Sequence, residues 1–349
     1  MRRALALARR GVGTTHPNPR VGAIVVRDGR QVGAGWHERP GMPHAEVLAL
    51  QQAQAAARGA TLYVTLEPCA AHGRTPPCTE AILKAGIRRV VIGCRDPNPK
   101  MAGGADRLRD AGLEVVLGVE EEAACALNRP FFSWIERRRP WVLAKVALSL
   151  DGRLATATKE SKWITEKRAR AYAHRLRAEA DAIVVGAGTW LADNPRLTVR
   201  LARRRGDPPL RVVFAHRLPA FFECALADGS APSRIYCLQQ EGHAAAWQAR
   251  GVDLVHVRDW EEALRHLAAE GRLAVMIEGG ARLFAELLRM RLIDELALFY
   301  APLLIGGDGL PLWPGDGVRT LADAPRLEGV RIVRLGRDWL VRGRLSASD

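Results

Sequence analysis

His44-Ala45-Glu46, Pro68-Cys69 and Cys78 constrain the fold of this chain more than any other feature, because they require three separate segments to meet at one point. Imidazole and thiolate are donors that zinc prefers, and three of them leave one tetrahedral corner for water. Around them, strand and helix signals alternate. Residues 21–26 form an apolar, β-branched run, Asp28-Gly29 is a tight-turn dipeptide, and 31–35 read as a returning strand, together a hairpin. Helical stretches at about 44–57, 79–85, 106–111 and 120–128 alternate with strands at 61–66, 89–93 and 114–117. Strands separated by helices predict a largely parallel sheet covered on both faces. The ligating segments then fall at helix N-termini, where the positive dipole end favours thiolate over thiol.

A chain of 349 residues, 48% of them hydrophobic, is too long for one ordinary domain and apolar enough for two cores. The polar run Glu136-Arg137-Arg138-Arg139-Pro140 marks the predicted boundary, giving domains 1–139 and 140–349. Beyond it, strands are expected at 141–148, 182–185, 211–214, 234–237, 253–257 and 274–277, with helices at 166–180, 260–269 and 282–289. The last strands, 296–300, 329–335 and 339–344, have turns but no helix between them, which predicts an antiparallel edge. No apolar run is long enough to span a bilayer, and Arg9 and Arg10 interrupt a signal-like core, so the expected compartment is cytoplasmic, without a membrane partner. Cys94, Cys125, Cys224 and Cys237 are scattered singly and read as small buried hydrophobes. The net charge of +14 raises nucleic-acid binding, but the Arg137–Arg139 and Arg203–Arg205 runs have no interleaved aromatic residues for base stacking. A basic surface suited to small phosphorylated ligands is the expectation instead.

Zinc lowers the pKa of a water that it holds. Attack on an amino-bearing ring carbon then needs a carboxylate to carry that water's proton to the departing ammonia, and Glu46 reaches the site from the first turn of its helix. This His-x-Glu…Pro-Cys pattern is the signature of the zinc nucleobase deaminases. A structural zinc site would close with four ligands, and a zinc-binding interaction module would have no use for Glu46. A nucleic-acid deaminase would separate its cysteines by two residues; here eight intervene, Ala70 to Pro77. Glu67-Pro68-Cys69-Ala70-Ala71-His72-Gly73-Arg74-Thr75-Pro76-Pro77-Cys78, Pro17-Asn18-Pro19-Arg20-Val21-Gly22, His37 with Gly41, and Asp96-Pro97-Asn98-Pro99 resemble the bifunctional riboflavin-biosynthesis deaminase/reductase family. The resemblance implies zinc on His44, Cys69 and Cys78, a proton carrier at Glu46, and substrate contacts at Asn18, His37, His72 and Arg74. Gly103-Gly104-Ala105-Asp106 departs from that family by being one residue shorter, which leaves the local loop geometry open.

The second half has no Rossmann fingerprint: Gly186-Ala187-Gly188 lacks the third glycine. Ile277-Glu278-Gly279-Gly280-Ala281-Arg282-Leu283 ends a buried strand in two glycines and opens a helix, presenting backbone N–H groups to an anion. Lys145 to Arg153, Ser161-Lys162-Trp163-Ile164-Thr165, Arg175-Leu176-Arg177, Gly186-Ala187-Gly188-Thr189, Asp193 to Arg200, Asp294-Glu295, Ala301-Pro302 and Ile305-Gly306-Gly307 extend the resemblance over nearly the whole chain. It implies an α/β fold with a cytidine-deaminase-like α/β/α sandwich followed by a dihydrofolate-reductase-like domain. It also implies NADPH contacts at Ala147, Trp163, Thr189, Asp193, Gly280, Ala281, Arg282, Leu283, Phe284, Ala285 and Glu286, and substrate contacts at Ser161, Arg177, Leu197, Arg200 and Glu278. Guanidinium forks at Arg177 and Arg200 suit a phosphate; Lys145 is a candidate charge stabiliser, and a homo-oligomer is a family expectation. Where the family often places a serine for the cofactor's 2′-phosphate, this chain has Ala215-His216-Arg217, whose basic pair still favours NADPH over NADH. The implied reactions are hydrolytic deamination of a 2,5-diamino-6-ribosylamino-pyrimidinone 5′-phosphate and NADPH-dependent reduction of its ribosyl group to ribityl, giving a 5-amino-6-(5-phosphoribitylamino)uracil.

Overall fold

Asp28 and Gly29 both take positive φ, 49° and 74°, and turn β1 (Gly22–Arg27) back antiparallel onto β2 (Arg30–Trp36). The computed structural model describes residues 1–73, 76–239 and 242–346, and the chain divides into two compact units, Met1–Arg138 and Arg139–Asp349. That split lies one residue before the predicted boundary. Arg139 belongs with the second unit because its guanidinium grips the Asp294 carboxylate twice, at 2.7 and 2.8 Å.

In the first unit, α1 (Arg2–Ala8), α2 (Ala45–Ala53), α3 (Cys78–Lys84), α4 (Gly104–Asp110), α5 (Glu121–Leu127) and α6 (Arg129–Arg137) accompany a sheet completed by β3 (Thr61–Leu66), β4 (Arg89–Cys94) and β5 (Glu114–Val116). The strand order is β2-β1-β3-β4-β5. β3, β4 and β5 are parallel, but β1 is antiparallel to both of its neighbours, so the sheet is mixed rather than largely parallel. The hairpin explains the difference: it reverses the chain before the α2 crossover begins, so β3 runs with β2 and against β1. Gly33 and Gly35 let α2 lie directly on β2. A Cβ there would stand 2.1 and 2.4 Å from the carbonyl oxygens of Ala49 and Ala45, and any side chain would lift the helix start that carries His44 and Glu46.

The second unit contains β6 (Trp141–Ser149), β7 (Arg153–Ala155), α7 (Lys167–Glu179), β8 (Ala182–Gly186), α8 (Ala187–Asp193), β9 (Leu210–Arg217), β10 (Ser233–Gln239), α9 (Ala244–Gln248), β11 (Val252–His256), α10 (Trp260–Ala269), β12 (Ala274–Glu278), α11 (Ala281–Arg289), β13 (Glu295–Ala301), β14 (Leu310–Pro311), β15 (Leu327–Leu335) and β16 (Asp338–Leu345). Its main sheet has the order β11-β10-β9-β8-β12-β6-β13-β16-β15, parallel as far as β13 and antiparallel from there. Both faces are covered, as continuous apolar strands require. Ala182, Val184 and Phe214 pack with Trp260 and Leu283 of α10 and α11, while Ile183, Val185 and Val213 pack with Leu176 and Trp190 of α7 and α8. Among the described residues, no helix is long and apolar enough to cross a membrane.

Candidate active sites

α2 begins immediately after His44, and α3 begins with Cys78, so the two helix starts present their ligating residues to each other. His44 Nδ1 lies 3.1 Å from Cys78 Sγ and 3.7 Å from Cys69 Sγ. The three donor atoms lie within 4.8 Å of one another, and no fourth His, Cys, Asp or Glu among the described residues joins that group. The Cys78 backbone N–H donates to Cys69 Sγ at 3.2 Å. Hydrogen bonding from the Cys78 thiol, then from His44 and that N–H, pulls the Cys69 thiol down to about 4 against its burial. The Cys69 hydrogen bond raises the His44 pKa. A half-buried imidazole and two close, buried sulfurs with one cysteine favoured as thiolate are a donor set that fits zinc. Glu46 is buried next to them, and burial raises its carboxyl pKa, the direction that suits a group exchanging protons near neutrality.

Cys69 sits in a loop pinned from one side. Glu67 is buried and accepts from the backbone N–H groups of Ala105 at 2.9 Å and Asp96 at 3.2 Å; Ala70 N–H donates to Met101 O at 3.0 Å. Gly104 answers the question raised by the shortened loop, since a Cβ there would stand 1.8 Å from Pro68 O. Asp96 is lifted to about 6, chiefly by burial. Of the expected substrate contacts, Asn18 and His37 form a pair, Asn18 Nδ2 lying 3.0 Å from His37 Nε2, and burial lowers the His37 pKa. His72 is exposed, 3.7 Å from Glu80; Arg74 lies outside the described residues.

In the second unit, the strand ends assemble a charged cluster. Glu278 and Lys145 are register partners on β12 and β6. Arg177 from α7 grips Glu278 with Nε at 2.5 Å and Nη2 at 2.8 Å, and donates to Thr198 O at 3.0 Å. Burial alone would raise the Glu278 carboxyl, but Arg177 and then Lys145 hold it at about 2. Lys145 is lowered by its own burial. His174, which the sequence reading missed, accepts from the Arg200 N–H at 3.1 Å; burial, then Arg177 and Arg200, depress it to about 4. Its place in an arginine-rich helix gave no signal. Arg200 is exposed, leaving its guanidinium accessible, with Nη1 2.9 Å from Thr198 Oγ1.

The expected cofactor residues divide into two kinds. Gly279 and Gly280 have φ of +62° and +77°, and a Cβ on Gly280 would stand 2.9 Å from Thr189 Oγ1, so Thr189 and this turn form one cradle before α11. Ala147 is half-buried on β6, Asp193 holds Lys162 at 2.9 Å, Ser161 is half-buried, and Trp163 is 71% exposed beneath the Arg170 guanidinium. Ala281, Leu283, Phe284 and Ala285 turn their side chains into the core, so a ligand beside the 280–286 stretch would meet their backbone rather than these side chains. A helix on a sheet must bury one face, leaving Arg282 and Glu286 outward. Leu197 is likewise 1% exposed and packs inward. His216 lies 3.4 Å from Glu286, and Arg217 donates to Gln239 at 2.8 Å. The glycine turn and its open N–H groups fit a dinucleotide phosphate.

Comparison with known proteins decides the family. Residues 1–94 match the cytidine and deoxycytidylate deaminase zinc-binding region, and residues 140–341 match the RibD C-terminal domain. The riboflavin biosynthesis protein RibD of Aquifex aeolicus is 42% identical over 346 residues, covering 98% of this chain and 96% of that protein. The chain belongs to the RibD family. RibD of Escherichia coli is 40% identical over 359 residues, covering 97% and 96%. Among solved structures, Acinetobacter baumannii RibD superposes with a TM-score of 0.89 at 36% identity, covering 99% of this chain and 97% of that one. A Thermotoga maritima diaminohydroxyphosphoribosylaminopyrimidine deaminase/5-amino-6-(5-phosphoribosylamino)uracil reductase gives 0.88 at 37%, with the same coverage. The chain is accordingly a bifunctional deaminase and reductase of riboflavin biosynthesis, with a cytidine-deaminase-like first domain that uses zinc and a reductase domain that uses NADPH. RibD enzymes act on a small phosphorylated pyrimidine.

Proposed function

We propose that His44, Cys69 and Cys78 hold the zinc, that Glu46 moves the proton, and that the Lys145–Arg177–Arg200–Glu278 cluster grips the substrate of the second reaction. The observation that carries this is the convergence of one imidazole and two thiols beside a buried carboxylate. When bound, zinc supplies an activated water. Glu46 is the group that would carry a proton from water to the ring amine as the water oxygen bonds the ring carbon and the carbon–nitrogen bond breaks, so that a ring C–NH2 becomes C=O and ammonia leaves. Asn18, His72 and Arg74 are the candidate substrate contacts on this side.

In the second unit, a bound NADPH would supply the hydride that the sugar carbon bonded to the ring amine accepts. The carbon–oxygen bond of the ribose ring opens, its oxygen gains a proton, and ribosyl becomes ribityl. Arg200, exposed, holds the substrate phosphate in this reading; Arg177 is held by Glu278, and Lys145 stabilises charge beside them. Gly280 and Thr189 cradle a cofactor phosphate, Ala147, Trp163 and Asp193 border it, and Ser161 and the Leu197 backbone border the substrate. The substrate is the 2,5-diamino-6-ribosylamino-pyrimidinone 5′-phosphate, the compartment the cytoplasm, and the assembly a homo-oligomer that works without nucleic acid or membrane. Incubating the zinc-loaded chain with the diamino compound, with and without NADPH, tests this. Ammonia release in both arms and the ribityl product only with NADPH is the expected result; absence of either product discards the corresponding half.

A further inference from the structure

A hydrogen-bonded chain beside the zinc cluster does more than border the substrate. His37 is 3% exposed, its backbone N–H donates to Val21 O at 2.9 Å, and its ring meets the His44 ring edge-on with centroids 5.5 Å apart. Its Nδ1 lies 3.3 Å from Pro43 O and its Nε2 lies 3.0 Å from Asn18 Nδ2. A carbonyl oxygen only accepts, so Nδ1 carries the ring proton. Nε2 of that neutral ring can then only accept, and the Asn18 group facing it is the NH2. An asparagine amide free to rotate offers a ligand either polarity; this one presents Oδ1 away from the ring, as an acceptor. With both nitrogens engaged and the ring buried, His37 has no atom left for a substrate.

We infer that His37 is a positioning residue of the deaminase, locking the Asn18 amide so that Oδ1 accepts from a ring N–H or a hydroxyl of the substrate. This role rests on the deaminase reading of the zinc cluster. It corrects the expectation that His37 touches substrate itself, and it assigns Asn18 a hydrogen-bond sense.

The test uses the full-length, zinc-loaded chain. His37→Gln keeps an acceptor where Nε2 stood, His37→Asn keeps only the donor towards Pro43, and His37→Phe keeps neither. KM for ammonia release is expected to rise about tenfold in His37→Phe, His37→Asn and Asn18→Leu, the effect of one buried hydrogen bond, with kcat within about threefold. His37→Gln recovers most of the loss, and the His37→Phe/Asn18→Leu double variant is no worse than Asn18→Leu alone. Zinc content and the NADPH-dependent reduction of deaminated substrate stay at wild-type levels, reporting an intact fold. In the unmutated protein, 15N NMR of the His37 ring shows the Nδ1–H tautomer independently of turnover. An Nε2–H tautomer, additive effects in the double variant, a His37→Gln variant as impaired as His37→Phe, or zinc loss in His37→Phe would each overturn the role. A wild-type chain that releases no ammonia overturns the deaminase reading and this role with it, whereas the other outcomes, in an active enzyme, remove the role alone.

Discussion

The zinc cluster draws its ligands from two helix starts and one loop within residues 44–78, whereas the reductase cluster gathers Lys145, His174, Arg177, Arg200 and Glu278 from two strands, a helix and a loop across more than a hundred positions. The first is built from soft donors; the second from hard charges that compensate one another. A local site announces its chemistry through residue type and spacing. A site made by sheet topology does not, because its members become neighbours only after β12 is inserted between β8 and β6.

That contrast makes the two halves separable by experiment. The largest effect is expected from Glu46→Gln or from zinc removal by chelation. Ammonia release should fall by about a thousandfold, while NADPH oxidation with deaminated substrate changes less than about twofold; a matching fall in both would break the separation. Next, Glu278→Ala leaves the Arg177 guanidinium buried and unpaired at a cost of about 3 kcal/mol. Calorimetry of the reductase unit should show its transition about 6–12 °C lower, with reduction lost and ammonia release retained.

Acid sharpens the same comparison. The Glu278 carboxyl sits at about 2 in the folded chain against an ordinary 4.5. The unfolded chain therefore binds more protons between those values, and stability present above about pH 4.5 is lost as pH falls towards 2. His174 acts in the same direction: its unfolded ring protonates near 6.5 and its folded ring only near 4, so loss begins below 6.5. Asp96 has the opposite sign: raised from 3.8 to about 6, it weakens its own unit as pH rises through that window. Urea titrations of the two transitions from pH 3 to 7 should thus diverge, the second unit weakening first in acid. A smaller effect is expected from the His216→Ala/Arg217→Ala pair. Loss of one phosphate contact should weaken NADPH binding about tenfold and leave NADH binding unchanged by calorimetric titration. Least of all, His72→Ala, at an exposed rim, should alter KM for ammonia release by about twofold.

Legibility followed the range of the interactions. The hairpin at Asp28-Gly29, the buried β3 and the strand-to-helix turn at Gly279-Gly280 were readable because local backbone chemistry decides them. Helix α6 was missed: its arginine-rich end reads as a linker, while Asn128, bonded to Arg20 N and O at 2.8 and 3.0 Å, separates it from α5. Resemblance named Phe284 and Leu197 as ligand contacts, yet whether such side chains face a ligand or a core depends on the sheet beneath them. His37 showed a related limit. Resemblance suggested contact with substrate, whereas its two ring nitrogens lie against Asn18 Nδ2 and Pro43 O.

Glu67 carries a consequence of the same sort. A carboxylate two positions from a thiolate ligand is a natural competitor for a divalent ion, and in a looser loop it would swing round and close the coordination sphere. Here each of its oxygens accepts from a main-chain amide, so the brace that shapes the loop would also keep this anion off a metal held by His44, Cys69 and Cys78.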